Sequence, residues 1–297
     1  MTLRIALVTA PAARGLDEDM APLGAALEAA GARAEITDWD DPAIDWARLD
    51  AVVLRSAWDY HERLPHFFAW LERVARVSRL FNPLEVVRWS LDKHYLGELT
   101  RAGAPVVPTR YVEPGAAAAA VLDELLARDS CREIVVKPAI GAGSRDARRH
   151  ARADREEILD HAGALLAARR SVMLQPYLER VDRDGETALM YLDGRFSHAI
   201  RKGALLPSGA PSTAGLFAPE TIEPRTPGAD ELAAAERILA ALPWPSLLYA
   251  RIDLLRDPAG APRLLELELA EPSLFLSYAP GSAQRFAAAL LARLGAR

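Results

Sequence analysis

The stretch from Leu248 to Glu271, LYARIDLLRDPAGAPRLLELELAE, alternates apolar and charged residues on both sides of a turn-forming run, Asp257 to Pro262. Such alternation reads as two strands of one hairpin. With those six residues as the loop, Arg256 faces Arg263, Asp253 faces Glu266 and Arg251 faces Glu268. One face then carries Arg251, Asp253, Glu266 and Glu268. The other carries Ile252, Leu254, Leu265, Leu267 and Leu269 and reads as core. Carboxylates set opposite one another destabilise a sheet unless a positive charge sits among them. A hard cation such as Mg²⁺, held by one or two carboxylates together with substrate phosphates, meets that need. The alternative is a solvent-facing strand pair neutralised by Arg251 and outside arginines.

The totals allow a great deal. At 297 residues the chain is long for a single core, so two or three subdomains are expected. A net charge of -5 gives no reason to expect nucleic acid or an anionic membrane as partner. The apolar run Ile5 to Ala13 is broken by Thr9 and Pro11, and no stretch reaches the length of a membrane span. The single cysteine, Cys131, rules out an internal disulfide framework and fits a cytoplasmic location. A homodimer stays open.

Of 36 basic side chains only three are lysines: Lys93, Lys137 and Lys202. Where arginine fills nearly every routine position, a lysine marks a place for a compact charge on a flexible stem, unless it is retained by chance. Lys137 ends the strand-like REIVVKP and precedes Ala139 to Asp146, a loop containing Gly141, Gly143 and Ser144. Backbone N–H groups of such a loop can converge on a phosphate. The loop matches neither G-x-x-x-x-G-K-[ST] nor G-x-G-x-x-G, so a plain strand-turn-helix is the alternative. Lys93 follows Asp92 at the opening of a helix that ends at Gly103. Lys202 ends a strand beside Arg201.

Before residue 90 the pattern is strand Leu3 to Val8, a helix closed by Gly31, strands Arg33 to Thr37 and Ala51 to Leu54, and a helix over Pro65 to Val77. That order indicates a parallel α/β unit. Ligands of such sheets bind at the carboxyl ends of strands, where Arg55 to His61 begins, so Arg55 and Asp59 are candidate substrate contacts beside a packed Trp58. His61 and His66 lack the H-E-x-x-H spacing, and no metal is assigned to them. Further on come a strand over Val106 to Val112, a helix to about Arg128, a helix from Arg155 to Ala168 and a strand over Val172 to Pro176. Asp184-Gly185 and Asp193-Gly194 read as turns, the second joining a hairpin. Pro207 to Pro219 reads as a mobile loop able to act as a lid. Helices from about Ala229 to Ala241 and from Ala283 to Leu294 complete the chain.

The succession Asp92-Lys93, Val135-Val136-Lys137-Pro138, Gln175-Pro176-Tyr177, Ala250-Arg251-Ile252-Asp253 and Leu265-Glu266-Leu267-Glu268 resembles the ATP-grasp ligases. The resemblance implies an α/β, ATP-grasp fold of three α/β subdomains with ATP between the central and C-terminal ones. Their bounds would be 1–89 for the N-terminal domain, 90–176 for the central one and 177–297 for the C-terminal one with its metal-binding hairpin. Carried over by position, Lys93 and Lys137 would meet the α/β-phosphates and Gly141, Gly143 and Ser144 would cover the terminal ones. Gln175, Tyr177 and Leu178 would form the adenine hinge, with Asp182 or Glu186 near the ribose. Asp253, Glu266 and Glu268 would bind Mg²⁺, although the family commonly has Asn where Glu268 stands. Arg251 would sit beside the transferred phosphoryl group or the substrate carboxylate, Arg201 or Arg251 would stabilise an oxyanion, and Lys202 joins this catalytic group.

The strings LRSAWDYH, NPLEVVRWSLDKHYL and ELELAEPSLFL, the last containing Ser273 as a candidate substrate contact, resemble more closely the cycloserine-forming ATP-grasp enzymes, the O-ureido-serine cyclo-ligases. That resemblance implies activation of a small amino-acid-like carboxylate as an acyl phosphate, followed by attack from a nitrogen of the same molecule. Competing readings are an intermolecular carboxylate–amine ligase of dipeptide type, a small-molecule kinase that stops at phosphoryl transfer, and a nucleotide-binding module without catalysis.

Overall fold

The computed structural model describes residues 2–206, 216 and 220–295. The expected lid over Pro207 to Pro219 lies outside them, apart from Leu216. Three sheets organise the chain. The first is parallel, with strand order β2-β1-β3-β4, built from β1 (Arg4–Thr9), β2 (Arg33–Asp38), β3 (Ala51–Ser56) and β4 (Arg79–Phe81). Between them run α1 (Met20–Ala29) and α2 (Leu64–Val77). Alternate residues of β1 feed two cores. Ile5 and Leu7 pack with Leu23 and Leu27 of α1, while Ala6 and Val8 pack with Trp39, Phe67 and Trp70. Burial on both faces is why this strand reads as one continuous apolar run. Helix α2 opens with a proline in its first turn and buries Phe67, Trp70, Leu71 and Val74. That spacing is one stripe of an α-helix.

Next come α3 (Leu84–Leu91), unexpected from the sequence, and α4 (Tyr95–Arg101). The helix expected from Asp92-Lys93 begins three residues later, because Asp92 accepts the His94 N–H at 3.1 Å and turns the chain first.

The second sheet is antiparallel, order β5-β8-β6-β7: β5 (Arg110–Val112), β6 (Glu133–Pro138), β7 (Arg148–Ala151) and β8 (Val172–Pro176). Helices α5 (Ala118–Arg128) and α6 (Arg155–Ala167) cover one face, onto which Ile134, Val136, Val172 and Leu174 turn. Val135 and Lys137, on alternate positions, turn the other way. The strand expected from Val106 is regular only from Arg110; Val106 makes a single bridge to Leu264.

The third sheet, order β11-β10-β9-β12-β13, follows a short α7 (Val181–Asp184). Its strands are β9 (Glu186–Leu192), β10 (Arg195–Lys202), β11 (Ile222–Arg225), β12 (Tyr249–Arg256) and β13 (Pro262–Glu268). Helix α8 (Ala229–Ala240) covers one face, and α9 (Ser282–Gly295) reaches back to pack Phe286 and Leu290 against α1. At Gly185 the chain turns at φ +72 so close to β10 that a Cβ would stand 2.6 Å from the Lys202 carbonyl. That contact sets Glu186 directly opposite Lys202.

The opening hairpin has the expected pairs Arg251↔Glu268 and Asp253↔Glu266. Beyond Asp253 the register slips by one residue. Leu254 pairs with Leu264 and Arg256 with Pro262, so Arg256 does not face Arg263. The extra residue is Leu265. Leu264 therefore takes the core position with Leu254 and Leu267, and Leu265 turns to the other face. A β-bulge does this by opposing two residues to one.

Candidate active site

The second and third sheets, with the carboxyl ends of the first, enclose a cavity of about 440 Å³. One end is apolar: Val107, Val135, Tyr177, Leu178, Leu255 and the bulged Leu265 form a cluster there. The Arg149 guanidinium stacks 3.6 Å from the Tyr177 ring centroid, and Gln175, fully buried, donates to Thr109 Oγ1 at 2.8 Å. The loop after β6 forms another wall with Gly141, Gly143 and Ser144. Gly143 and Ser144 stand at φ +62 and +58, so their backbone turns sharply there.

The floor is charged. Lys93 donates from Nζ to the Gly141 carbonyl at 2.9 Å and pairs with Glu266 at 2.9 Å. Burial opposes its charge, but Glu266, with Glu268 and Glu271 beyond it, more than offsets this and holds the ammonium above its ordinary range. Lys137 lacks such a close partner. Burial pulls it down to about 8, with Glu266 resisting only in part. Lys202 lies between Glu186 and Asp253, 3.1 Å from the latter, and these carboxylates keep it charged against burial. Arg251 grips Asp253 through Nε at 3.0 Å and Nη2 at 2.9 Å, reaches Glu268, and donates from Nη1 to the Ser273 carbonyl at 3.1 Å. Although burial works the other way, Arg251 and Lys202 hold the Asp253 carboxyl at about 2.

The cavity therefore gathers Lys93, Lys137, Gly141, Gly143, Ser144, Gln175, Tyr177, Leu178, Glu186, Lys202, Arg251, Asp253, Glu266, Glu268 and Ser273. Four candidates do not line it. Arg201 follows the alternation of β10 away from Lys202 and binds the Asp184 and Arg183 carbonyls at 2.9 and 3.1 Å. That placement removes the assignment of Arg201 to an oxyanion. Asp182 sits on α7, tied to the Tyr177 hydroxyl at 2.5 Å and to Arg149 at 3.1 Å, leaving Glu186 as the acidic group at that wall. Asp59 accepts from Trp39 Nε1 at 2.8 Å and Arg63 at 2.6 Å and serves the first sheet's core. Arg55 is wholly buried beneath the cavity. Neither Arg55 nor Asp59 lines the cavity. Asp17, Trp58, Tyr60 and Glu271 line the cavity without having been singled out as site residues. Trp58 reads from the sequence only as a packed aromatic.

The hard oxygen donors suit a divalent cation, and Asp253 and Glu266 face each other across the strands. Each, however, is turned toward a protein cation. Among the described residues no three acidic, His or Cys side chains converge as a metal-binding group. Cation binding would require Glu266 and Glu268 to turn from Lys93 and Arg251.

Two antiparallel sheets closing over one cavity, with Lys137 on a strand of one and acidic and basic strand residues of the other facing it, define an ATP-grasp ligase, an enzyme class that uses ATP. The D-alanine–D-alanine ligase from Bacillus anthracis shares this fold, with a TM-score of 0.66 at 14% identity over 99% of this chain and 97% of that one. The structure of D-cycloserine synthetase DcsG matches with a TM-score of 0.92 at 44% identity, covering 98% of this chain and 99% of that one. In sequence, the cycloserine biosynthesis protein DcsG of Streptomyces lavendulae is 46% identical over 298 residues, 98% of each chain. The model of the D-cycloserine synthetase DcsG N-terminal domain matches residues 5–82. The chain belongs to the D-cycloserine synthetase family of ATP-grasp ligases. No helix among the described residues is long and apolar enough to cross a membrane.

Proposed function

We propose that this enzyme activates the carboxylate of a small amino-acid-like substrate with ATP and closes a ring by intramolecular attack of nitrogen, converting O-ureido-serine to cycloserine. The observation that carries this is that one cavity brings together an apolar cluster, Lys137 and Lys93, and Glu266, Glu268, Asp253 and Arg251. The apolar cluster suits a purine, with Gln175, Tyr177 and Leu178 at its edge. Lys93, Lys137 and the Gly141 to Ser144 loop suit phosphates. Asp253, Glu266 and Glu268 would hold Mg²⁺, which supplies charge neutralisation at the phosphates.

The substrate carboxylate attacks the γ-phosphate, giving an acyl phosphate and ADP. A nitrogen lone pair then forms the C–N bond as phosphate leaves, the nitrogen gives up its proton, and hydrolysis of the carbamoyl group it carries, released as carbamate and so as carbon dioxide and ammonia, leaves cycloserine. Arg251 is held by Asp253 and Glu268 at the point where negative charge builds in both steps. The three-unit division at residues 89 and 176 belongs to this reading, with the first unit supplying the cavity's outer wall. Testing requires ADP release with O-ureido-serine and mass spectrometry of the product. A cyclised product is expected. A phosphate ester would establish a kinase instead, and an amide formed only with a second amine would establish an intermolecular ligase.

A further inference from the structure

Beyond β13 the chain from Ala270 to Ser273 is fixed carbonyl by carbonyl. The carbonyls of Ala270, Glu271, Pro272 and Ser273 accept in turn from the Tyr249 hydroxyl at 2.8 Å, Trp58 Nε1 at 3.1 Å, Arg55 Nη2 at 2.8 Å and Arg251 Nη1 at 3.1 Å. This rigid segment carries one uncommitted side chain. Of the carboxylates in that part of the cavity, Glu186 and Asp253 meet Lys202, Glu266 meets Lys93 and Glu268 meets Arg251. The Glu271 carboxylate has neither a hydrogen bond nor an ion pair among the described residues. Glu271 is only partly buried, and both of its oxygens keep accessible surface.

That carboxylate faces the cavity. The charges acting on it most strongly belong to Glu268, Lys93, Glu266 and Arg251, all groups of the floor, and Glu271 is itself the charge felt most by Tyr60, another lining residue. Burial, with Glu268 nearby, lifts its carboxyl to about 8, in the range where a group takes up a proton near neutrality. The reaction needs such a group. In O-ureido-serine the ring-closing nitrogen carries a carbonyl, so its lone pair is delocalised as in an amide and attacks poorly until its proton is taken.

We propose that Glu271 is the general base of ring closure: its carboxylate takes the proton from the attacking nitrogen as the C–N bond forms and the C–O bond to phosphate breaks. This rests on the reading of the reaction as ring closure through an acyl phosphate, and it assigns the proton's destination. The fixed backbone holds the carboxylate in place, and the lack of a partner leaves it free to accept.

The test compares O-ureido-serine with O-amino-serine, whose terminal nitrogen keeps a free lone pair and closes the same ring without a base, in wild type and in Glu271→Gln. Ring product is followed by mass spectrometry, and the acyl phosphate is trapped with hydroxylamine as the hydroxamate. In Glu271→Gln the ring product from O-ureido-serine should fall at least about 100-fold, the low end of general-base catalysis. Hydroxamate formation from either compound and ring closure of O-amino-serine should stay within about threefold of wild type, because neither needs that proton removed. The two compounds share their α-amino and carboxylate groups, so a parallel loss with both would make Glu271 a binding contact and overturns the proposal. An undiminished ring product from O-ureido-serine overturns it as well. If the amide variant does not fold, Glu271→Asp carries the same comparison: a loss confined to O-ureido-serine is expected, and equal effects on both compounds overturn the base. Absence of hydroxamate from wild type with either compound refutes the acyl-phosphate reading itself, whereas hydroxamate without the selective loss refutes the base alone.

Discussion

Glu266 stands opposite the like-charged Asp253 across the strands and pairs with Lys93 across the cavity at 2.9 Å. Replacing it with glutamine keeps its length and removes its charge. Lys93 then lacks its counter-charge, and a divalent cation loses one hard ligand. ADP release by Glu266→Gln should fall by about 100-fold or more, the usual cost of removing one electrostatic element of a transition state. Thermal unfolding should also move down, because the buried Lys93 ammonium is left without its partner. Undiminished turnover would refute the metal and phosphate face.

Lys137 makes a prediction in pH. Burial lowers it from an ordinary 10.5 to about 8, so the free enzyme loses this cation as pH rises through 8. ATP affinity should weaken above pH 8, approaching about tenfold per pH unit, because the phosphate must then restore the proton. In Lys137→Met the affinity should be low and flat over that range, as fluorescence titration would show. The sign for stability is opposite. Between pH 8 and 10.5 the unfolded chain still binds a proton that the folded chain has released, so this group's contribution to folding improves as pH rises.

At the scale of elements, alternation made β12 and β13 legible, and with them the pairs Arg251↔Glu268 and Asp253↔Glu266. The bulge was not legible, because Leu264 and Leu265 are the same residue type and only tertiary packing decides which is core. Strands β7 and β11 escaped for a different reason: RRHA and IEPR are short edge strands with little apolar signal. Lys93, Lys137 and Lys202 stood out through scarcity, but their partners did not. Nothing in the order of residues says that Lys202 meets Asp253.

Asn82 shows how elements distant in sequence are joined. Fully buried beyond β4, it donates from Nδ2 to the carbonyls of Tyr249 at 2.9 Å and Leu269 at 2.8 Å, and its Oδ1 accepts the Leu248 N–H at 2.8 Å. It thereby pins the parallel sheet to both strands of the hairpin. Asn82→Ala leaves three buried backbone groups without partners. At about 1–3 kcal/mol for each, the loss should be about 3 kcal/mol or more by urea unfolding. A loss below about 1 kcal/mol would mean that water replaces the side chain.

For the whole molecule, the decisive feature is that the first sheet's core is completed by the last helix. Residues 5–82 match the model of the DcsG N-terminal domain, which invites treating them as independent. Yet Leu23 and Leu27 of α1 pack in one cluster with Phe286, Ala287 and Leu290 of α9, more than 250 positions away. Burying each large apolar side chain contributes about 1.5–3 kcal/mol, so Phe286, Leu290 and Leu294 together contribute about 5–9 kcal/mol, shared between the surfaces they join. That is comparable to the net stability of an average domain, about 5–15 kcal/mol. A fragment of residues 1–89 should therefore have helical far-ultraviolet dichroism but no cooperative thermal transition, with exposed α1 surface binding a hydrophobic dye. Joining residues 282–295 to it through a flexible linker should restore cooperativity and displace the dye. A sharp transition in the unlinked fragment would show that the parallel sheet holds its own core and that α9 only docks upon it.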